Sequence, residues 1–83
     1  MEKERVIWSS REMMIYTAET IAKQILTEAG KDTAQLVSTV NAVEYAGGRG
    51  VVKIIFTEAA QPADELRYRE LLTSIENTLS IYQ

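Results

Sequence analysis

The chain has 83 residues, 9 basic and 12 acidic side chains and a formal charge of −3, and it contains neither cysteine nor histidine. These counts predict one small domain over residues 1–83 and exclude disulfides, thiol nucleophiles, imidazole general bases, and thiolate or imidazole metal sites. Because a domain of this size buries only a modest core, we expect it to associate with a second copy of itself.

The charge pattern indicates where the protein works and which partners it avoids. Residues 2–5 are all charged, and no apolar stretch long enough for a signal peptide or membrane span follows, which predicts a cytoplasmic protein without a membrane partner. The whole net charge falls in residues 58–83, where five acidic side chains accompany only Arg67 and Arg69. An acidic segment repels phosphate backbones, which argues against nucleic acid as a partner.

The first predicted elements are a short strand at residues 5–9 and a helix after it. Ser9 and Glu12 have the S-x-x-E spacing of a capping box, and the helix then extends to Ala29, where Gly30 provides a C-terminal stop. Its apolar residues recur at spacings of three and four, which predicts one buried face that includes Met14, Ala18, Ile21, Ile25 and Leu26.

Residues 32–46 support two interpretations, and the sequence leaves the choice between them open. As a helix, the segment is capped by Asp32 and ends at Gly47. As a strand, its second half pairs with the β-branched residues 51–57 in a hairpin.

The register of such a hairpin can be tested on its side chains. Pairing Ala46 with Val51 places Glu44 opposite Lys53, which is an attractive cross-strand pair. The same register gathers apolar side chains on one face, namely Val43, Tyr45, Val52, Ile54 and Phe56. Apolar residues also lie on the other face, so both faces of the hairpin need to be covered.

A second helix is predicted from Pro62 onwards. Pro62 suits the first helical position, and Asp64 and Glu65 lie in the first turn, where the helix dipole favours acidic side chains. Its apolar stripe comprises Leu66, Tyr68, Leu71, Leu72, Ile75, Leu79 and Tyr82. The predicted fold class is therefore α+β, in the order (β)-α-β-β-α, with a small antiparallel sheet packed by two amphipathic helices.

The glycine-rich stretch Gly47, Gly48, Arg49 and Gly50 is a candidate ligand site. Its amides can form an anion-binding nest in which Arg49 holds a phosphate or carboxylate. The same residues also suit a hairpin turn that needs positive φ angles. The stretch lacks the spacing of a P-loop or of a dinucleotide-binding fingerprint.

A partner-binding site is predicted at the start of the first helix. Trp8, Met13 and Tyr16 lie there, and aromatic residues and methionine are frequent in protein interfaces. Trp8 also suits a structural role, because an apolar residue before the helix cap packs on the first turn.

The expected function follows from this set of residues. No catalytic residue, metal ligand or cofactor site can be singled out, so we expect a protein that is not an enzyme. The sequence favours a small acidic protein-interaction module, such as an adaptor, regulator or inhibitor, that acts as a homodimer or higher homo-oligomer. The alternatives are a binder of a small anionic ligand or nucleotide at the glycine-rich turn, and a nucleic-acid-binding protein.

Overall fold

The computed structural model describes residues 5–81, which form an α+β structure of two layers. Its elements are β1 (Arg5–Trp8), β2 (Met13–Met14), α1 (Ile15–Ala29), α2 (Thr33–Leu36), β3 (Val37–Glu44), β4 (Arg49–Phe56) and α3 (Pro62–Ser80). Single 3₁₀ turns at Gly30–Asp32 and Ala46–Gly48 connect α1 to α2 and β3 to β4. The predicted α+β class is confirmed, and the segment after Gly30 contains a short helix and then the hairpin strand.

The sheet is antiparallel and β4 is its central strand. β3 pairs along one side of β4, and β1 and β2 pair one after the other along the opposite side. Arg5 lies opposite Phe56 in β1, whereas Met13 lies opposite Gly50 in β2. Residues 9–12 therefore bulge out between two short pieces of one edge.

The predicted capping box at Ser9 and Glu12 is wrong, because α1 begins only at Ile15. Ser9 belongs to the sheet instead: its amide donates to the Val52 carbonyl at 2.8 Å, and its hydroxyl accepts the Val52 N–H at 3.0 Å. The hydroxyl also donates to the Arg11 carbonyl at 3.1 Å. The Ser9 hydroxyl thus accepts the Val52 N–H in place of a main-chain carbonyl, at the point where the edge after β1 stops pairing with β4. Ser9 therefore supports the sheet and does not cap α1.

The predicted hairpin register is also wrong, by three residues. The Tyr45 amide donates to the Arg49 carbonyl at 2.6 Å, so the loop between the strands is only residues 46–48. Glu44 consequently lies opposite Gly50, and Lys53 lies opposite Asn41. A shift by an odd number of residues exchanges the faces on which side chains lie.

Two different requirements explain the glycines of this hairpin. Gly47 and Gly48 have φ angles of 77° and 72°, which a side chain disfavours, so they form the turn. Gly50 lies within β4, where a Cβ atom would come within 2.7 Å of both Ile15 Cδ1 and the Val43 carbonyl oxygen. Gly50 therefore serves helix packing, and it is not part of the turn.

Both long helices cover the same face of the sheet. The buried cluster joins Ile7, Val52, Ile54 and Phe56 of the sheet to Ala18, Ile21, Ala22 and Ile25 of α1 and to Tyr68 and Leu72 of α3. The rings of Phe56 and Tyr68 meet edge to face, with centroids 5.7 Å apart. Burying an aliphatic or aromatic side chain contributes about 1.5–3 kcal/mol, so this cluster is the main source of stability.

The start of α3 is as predicted. Pro62 occupies the first helical position, and the Gln61 amide donates to the Asp64 carboxylate at 2.9 Å. The predicted apolar stripe is correct for Tyr68 and Leu72 but wrong for Leu66, which is exposed.

Residues 1–4 and Tyr82 lie outside the described residues. No helix within residues 5–81 has both the length and the hydropathy needed to cross a bilayer.

Candidate functional site

The face of the sheet away from the helices carries a set of apolar side chains, which we call the open face. Strand alternation and the observed register place these apolar residues on it: Val6, Trp8, Met14, Val43, Val51 and Ile55. Its polar members are Thr39, Asn41, Tyr45, Arg49 and Lys53. None of these residues belongs to the core cluster beneath the helices. Within residues 5–81, no helix packs on this side of the sheet.

Burial differs from the centre to the rim of the open face. Val51 is only 6% exposed because its neighbours on the sheet surround it, whereas Trp8 is 44% exposed and Met14 and Tyr45 are also exposed. Val6, Val43 and Ile55 are half-buried. In the observed register the aliphatic side chains form two pairs, Val43 with Val51 and Val6 with Ile55, and the row of Trp8, Lys53 and Asn41 lies between them.

The Trp8 ring is held by a cation. The Lys53 ammonium lies 5.3 Å from the ring centroid, and the two residues are opposite one another in the β1–β4 ladder. Such a contact contributes about 0.5–1 kcal/mol at an exposed site. It favours the conformer in which the indole lies beside Lys53, and 44% of Trp8 remains exposed on the open face.

Of the three residues predicted to bind a partner, only Trp8 lies on the open face. Met13 is 4% exposed and packs into the core beneath α1, so it cannot form part of a surface. Tyr16 is exposed, but it lies in the first turn of α1, in the helical layer. The sequence prediction named neighbours along the chain, whereas the surface is formed by residues from four strands.

The predicted anion site at the glycine-rich turn has its cation already engaged. The Arg49 guanidinium donates to the Glu12 carbonyl at 3.2 Å, and its Nε lies 3.9 Å from the Glu12 carboxylate. Gly47 and Gly48 form the exposed turn, and Gly50 is buried beneath Ile15. The structure therefore separates the four residues into a turn, a strand start and a packing position. Anion binding stays a prediction.

A groove of about 410 Å³ runs between α1 and α3 on the outer surface of the helical layer. Its α1 side is polar, with Thr20, Gln24 and Glu28, and the Gln24 amide donates to the Glu28 carboxylate at 3.0 Å. Its α3 side is mostly apolar, with Leu71, Ile75 and Leu79. No set of acidic side chains in residues 5–81 is grouped so as to hold a metal ion. The hydroxyl side chains of the groove are Thr20, Ser74 and Thr78, and those of Thr20 and Thr78 donate to the helix carbonyls of Tyr16 and Ser74.

One buried carboxylate lies apart from the open face. Glu76 in α3 is 3% exposed, and its Oε2 accepts a hydrogen bond from the Ser10 hydroxyl at 3.2 Å. Its Oε1 is buried without a hydrogen-bond partner among the described residues. Glu76 was not singled out from the sequence, although it follows Leu72 of the predicted apolar stripe by four residues, a spacing that places it beside the buried face.

A comparison of the chain with protein-family models, curated proteins and solved structures finds no match.

Proposed function

We propose that this chain is a non-enzymatic protein-interaction module that acts as a homo-oligomer and binds a protein partner through its open face. The observation that carries the proposal is the set of aliphatic side chains at Val6, Val43, Val51 and Ile55, which lie on either side of Trp8 and Lys53 and over which no described helix lies. A patch of apolar side chains on a small domain is typical of an interaction site. An adaptor, regulator or inhibitor works through surface recognition of this kind.

The chemistry of the open face favours a protein partner. Its two cations already have contacts within the chain, because Lys53 lies over the Trp8 ring and Arg49 contacts Glu12. The contact energy would come from the two aliphatic pairs and from Trp8 and Tyr45, the residue types that dominate hot spots. Single-stranded nucleic acid is the competing occupant, since aromatic and cationic side chains on a sheet also stack on bases.

The experiment compares two substitutions that add the same charge on different surfaces. Ile55→Asp places a carboxylate on the open face, and Leu66→Asp places one on the exposed side of α3. Proteins captured by the wild-type chain are then purified and titrated calorimetrically against all three chains. We expect direct binding that weakens at least about tenfold in Ile55→Asp only, as for a hot-spot position.

Two results would overturn the proposal. In the first, a purified partner binds Ile55→Asp as tightly as the wild-type chain and loses affinity for Leu66→Asp, which places the surface in the helical layer. In the second, a fluorescent oligodeoxythymidine binds at about 50 mM salt and is released by Ile55→Asp, which makes the open face a nucleic-acid platform.

A further inference from the structure

The outer edge of β3 carries main-chain groups that no strand of residues 5–81 pairs with. In an antiparallel ladder, alternate residues direct their N–H and C=O groups towards the partner strand and away from it. The bond from the Tyr45 amide to the Arg49 carbonyl sets this alternation for the hairpin. It directs the main-chain groups of Val40, Ala42 and Glu44 away from β4.

The two edges of the sheet differ in how well they resist pairing. The β1 edge is four residues long and is interrupted by the bulge at residues 9–12 before the two residues of β2. β3 has eight residues with no proline and no lysine, its only charged residue is Glu44, and its bulge lies near its start, between Val37 and Thr39. Short or interrupted edges block strand addition, whereas a long regular edge is a template for it.

The helix above this edge also has an unpaired flank. The side of α1 that faces α3 carries Thr20, Gln24 and Glu28, which line the groove. Because successive residues of a helix are rotated by about 100°, Glu19 and Leu26 lie on the opposite flank of α1, remote from α3. α1 packs on β3 and β4, and Leu26 is 44% exposed there. A solvent-exposed leucine beside a free strand edge extends the surface that a second copy can bury.

We propose that β3 pairs antiparallel with β3 of a second copy of this chain, about a twofold axis at Ala42. This inference rests on the homo-oligomer of the proposed function and specifies its interface. The axis falls at Ala42 because the three outward residues are symmetric about it: Ala42 faces its own copy, and Val40 faces Glu44 of the partner subunit. In this register, the outward N–H and C=O groups of Val40, Ala42 and Glu44 all form hydrogen bonds with the partner strand. The bulge between Val37 and Thr39 lies outside the paired segment.

The helices are compatible with this arrangement. Ile15 lies against Gly50, which pairs with Glu44, so α1 starts at the Glu44 end of β3 and runs back along it. A twofold axis at Ala42 therefore sets α1 antiparallel to its copy across its first half.

Edge pairing leaves the open face free and doubles it. The two sheets become one continuous sheet whose open faces lie side by side, so a partner protein meets a surface that neither copy presents alone. Association through the open faces themselves would bury that surface and remove it from any partner. The edge is thus the self-association surface, and the open face is the partner surface.

The test removes one outward N–H group. Ala42→Pro deletes the donor at the proposed axis, in an orientation that an edge strand tolerates. Ala42→Ser retains the donor and is the matched control. By light scattering after size exclusion at about 200 µM, where mass action favours association, we expect a dimer for the wild-type chain and Ala42→Ser, and a folded monomer for Ala42→Pro.

Hydrogen exchange of the wild-type chain tests whether the β3 edges pair even if Ala42→Pro does not fold. We expect the amides of Val40, Ala42 and Glu44 to exchange at least about tenfold more slowly at 200 µM than at 2 µM, because only the dimer protects them. A dimer whose edge amides exchange at the same rate at both concentrations overturns edge pairing but leaves the homo-oligomer standing. A monomer at 200 µM overturns both, while the calorimetric test on Ile55→Asp still decides the partner surface.

Discussion

The two faces of the sheet carry the same kinds of side chain in different surroundings. Ile54 and Ile55 are neighbours in β4, yet Ile54 is fully buried beneath the helices and Ile55 is half-buried on the open face. Apolar burial contributes roughly 25 cal/mol per Å² of surface removed from water. The apolar side chains of the open face therefore remain partly exposed to water in the isolated chain. A partner that covered them would add the free energy of their burial to the complex.

The largest expected effect separates these two isoleucines directly. Ile54→Asp places an unpaired carboxylate in the core, where its desolvation and the lost packing together cost about 4–5 kcal/mol or more, enough to unfold a marginal domain. Ile55→Asp adds the same charge on the open face and should retain the cooperative unfolding transition. Thermal unfolding followed by circular dichroism measures both. Equal melting temperatures for the two variants would show that the assignment of the faces is wrong.

The next effect concerns the bulge that joins β1 to β2 along the edge. Ser9→Ala removes the acceptor of the Val52 N–H, which leaves a buried donor unpaired at a cost of about 1–3 kcal/mol. Urea unfolding should show a lower midpoint with an unchanged slope. Ser38→Ala is the control, because it removes a hydroxyl from an exposed position of β3. If Ser38→Ala destabilises the chain as much as Ser9→Ala, the role of the Ser9 hydroxyl is incorrect.

The smallest expected effect is an increase in the free energy of unfolding, from a substitution in the helical layer that covers the sheet. Glu76→Met replaces a buried carboxylate that has one oxygen without a partner by an apolar side chain of similar length, and should raise the free energy of unfolding by about 1 kcal/mol. Glu70→Met, at an exposed position of α3, is the control and should leave the urea midpoint unchanged. A lower midpoint for Glu76→Met would mean that the carboxylate is structurally required.

Local signals predicted the helix ends that depend on one residue. Gly30 has the positive φ angle, 63°, expected of a helix stop, and Pro62 with Asp64 starts α3 as predicted. The start of α1 failed because Ser9 meets the requirements of a helix cap and of a bulged strand equally well. The pattern S-x-x-E contains no information on whether a strand lies beside it, and β4 lies more than forty residues further along the chain.

The candidate site was harder to predict than the fold, and Gly50 is the reason. Four consecutive turn-type residues suggested a turn that included Gly50, which shifted the register by three and moved Val43 and Tyr45 to the face beneath the helices. The true role of Gly50 is to make room for Ile15, a contact that exists only after α1 has packed on the sheet. For Trp8 the sequence left a partner-binding role and a structural role open; the side chain is 44% exposed on the open face, where its neighbours depend on that register.

The sequence by itself determined the class of fold, the two long helices and the presence of apolar residues on both faces of the hairpin, because periodicity, caps and β-branched composition act over a few residues. Only the tertiary structure decided the register and the face that stays uncovered. Both depend on contacts between distant segments, namely Ser9 with Val52 and Ile15 with Gly50. The absence of cysteine and histidine excludes thiol and imidazole chemistry. The uncovered face is the surface through which we propose that the chain binds a partner protein.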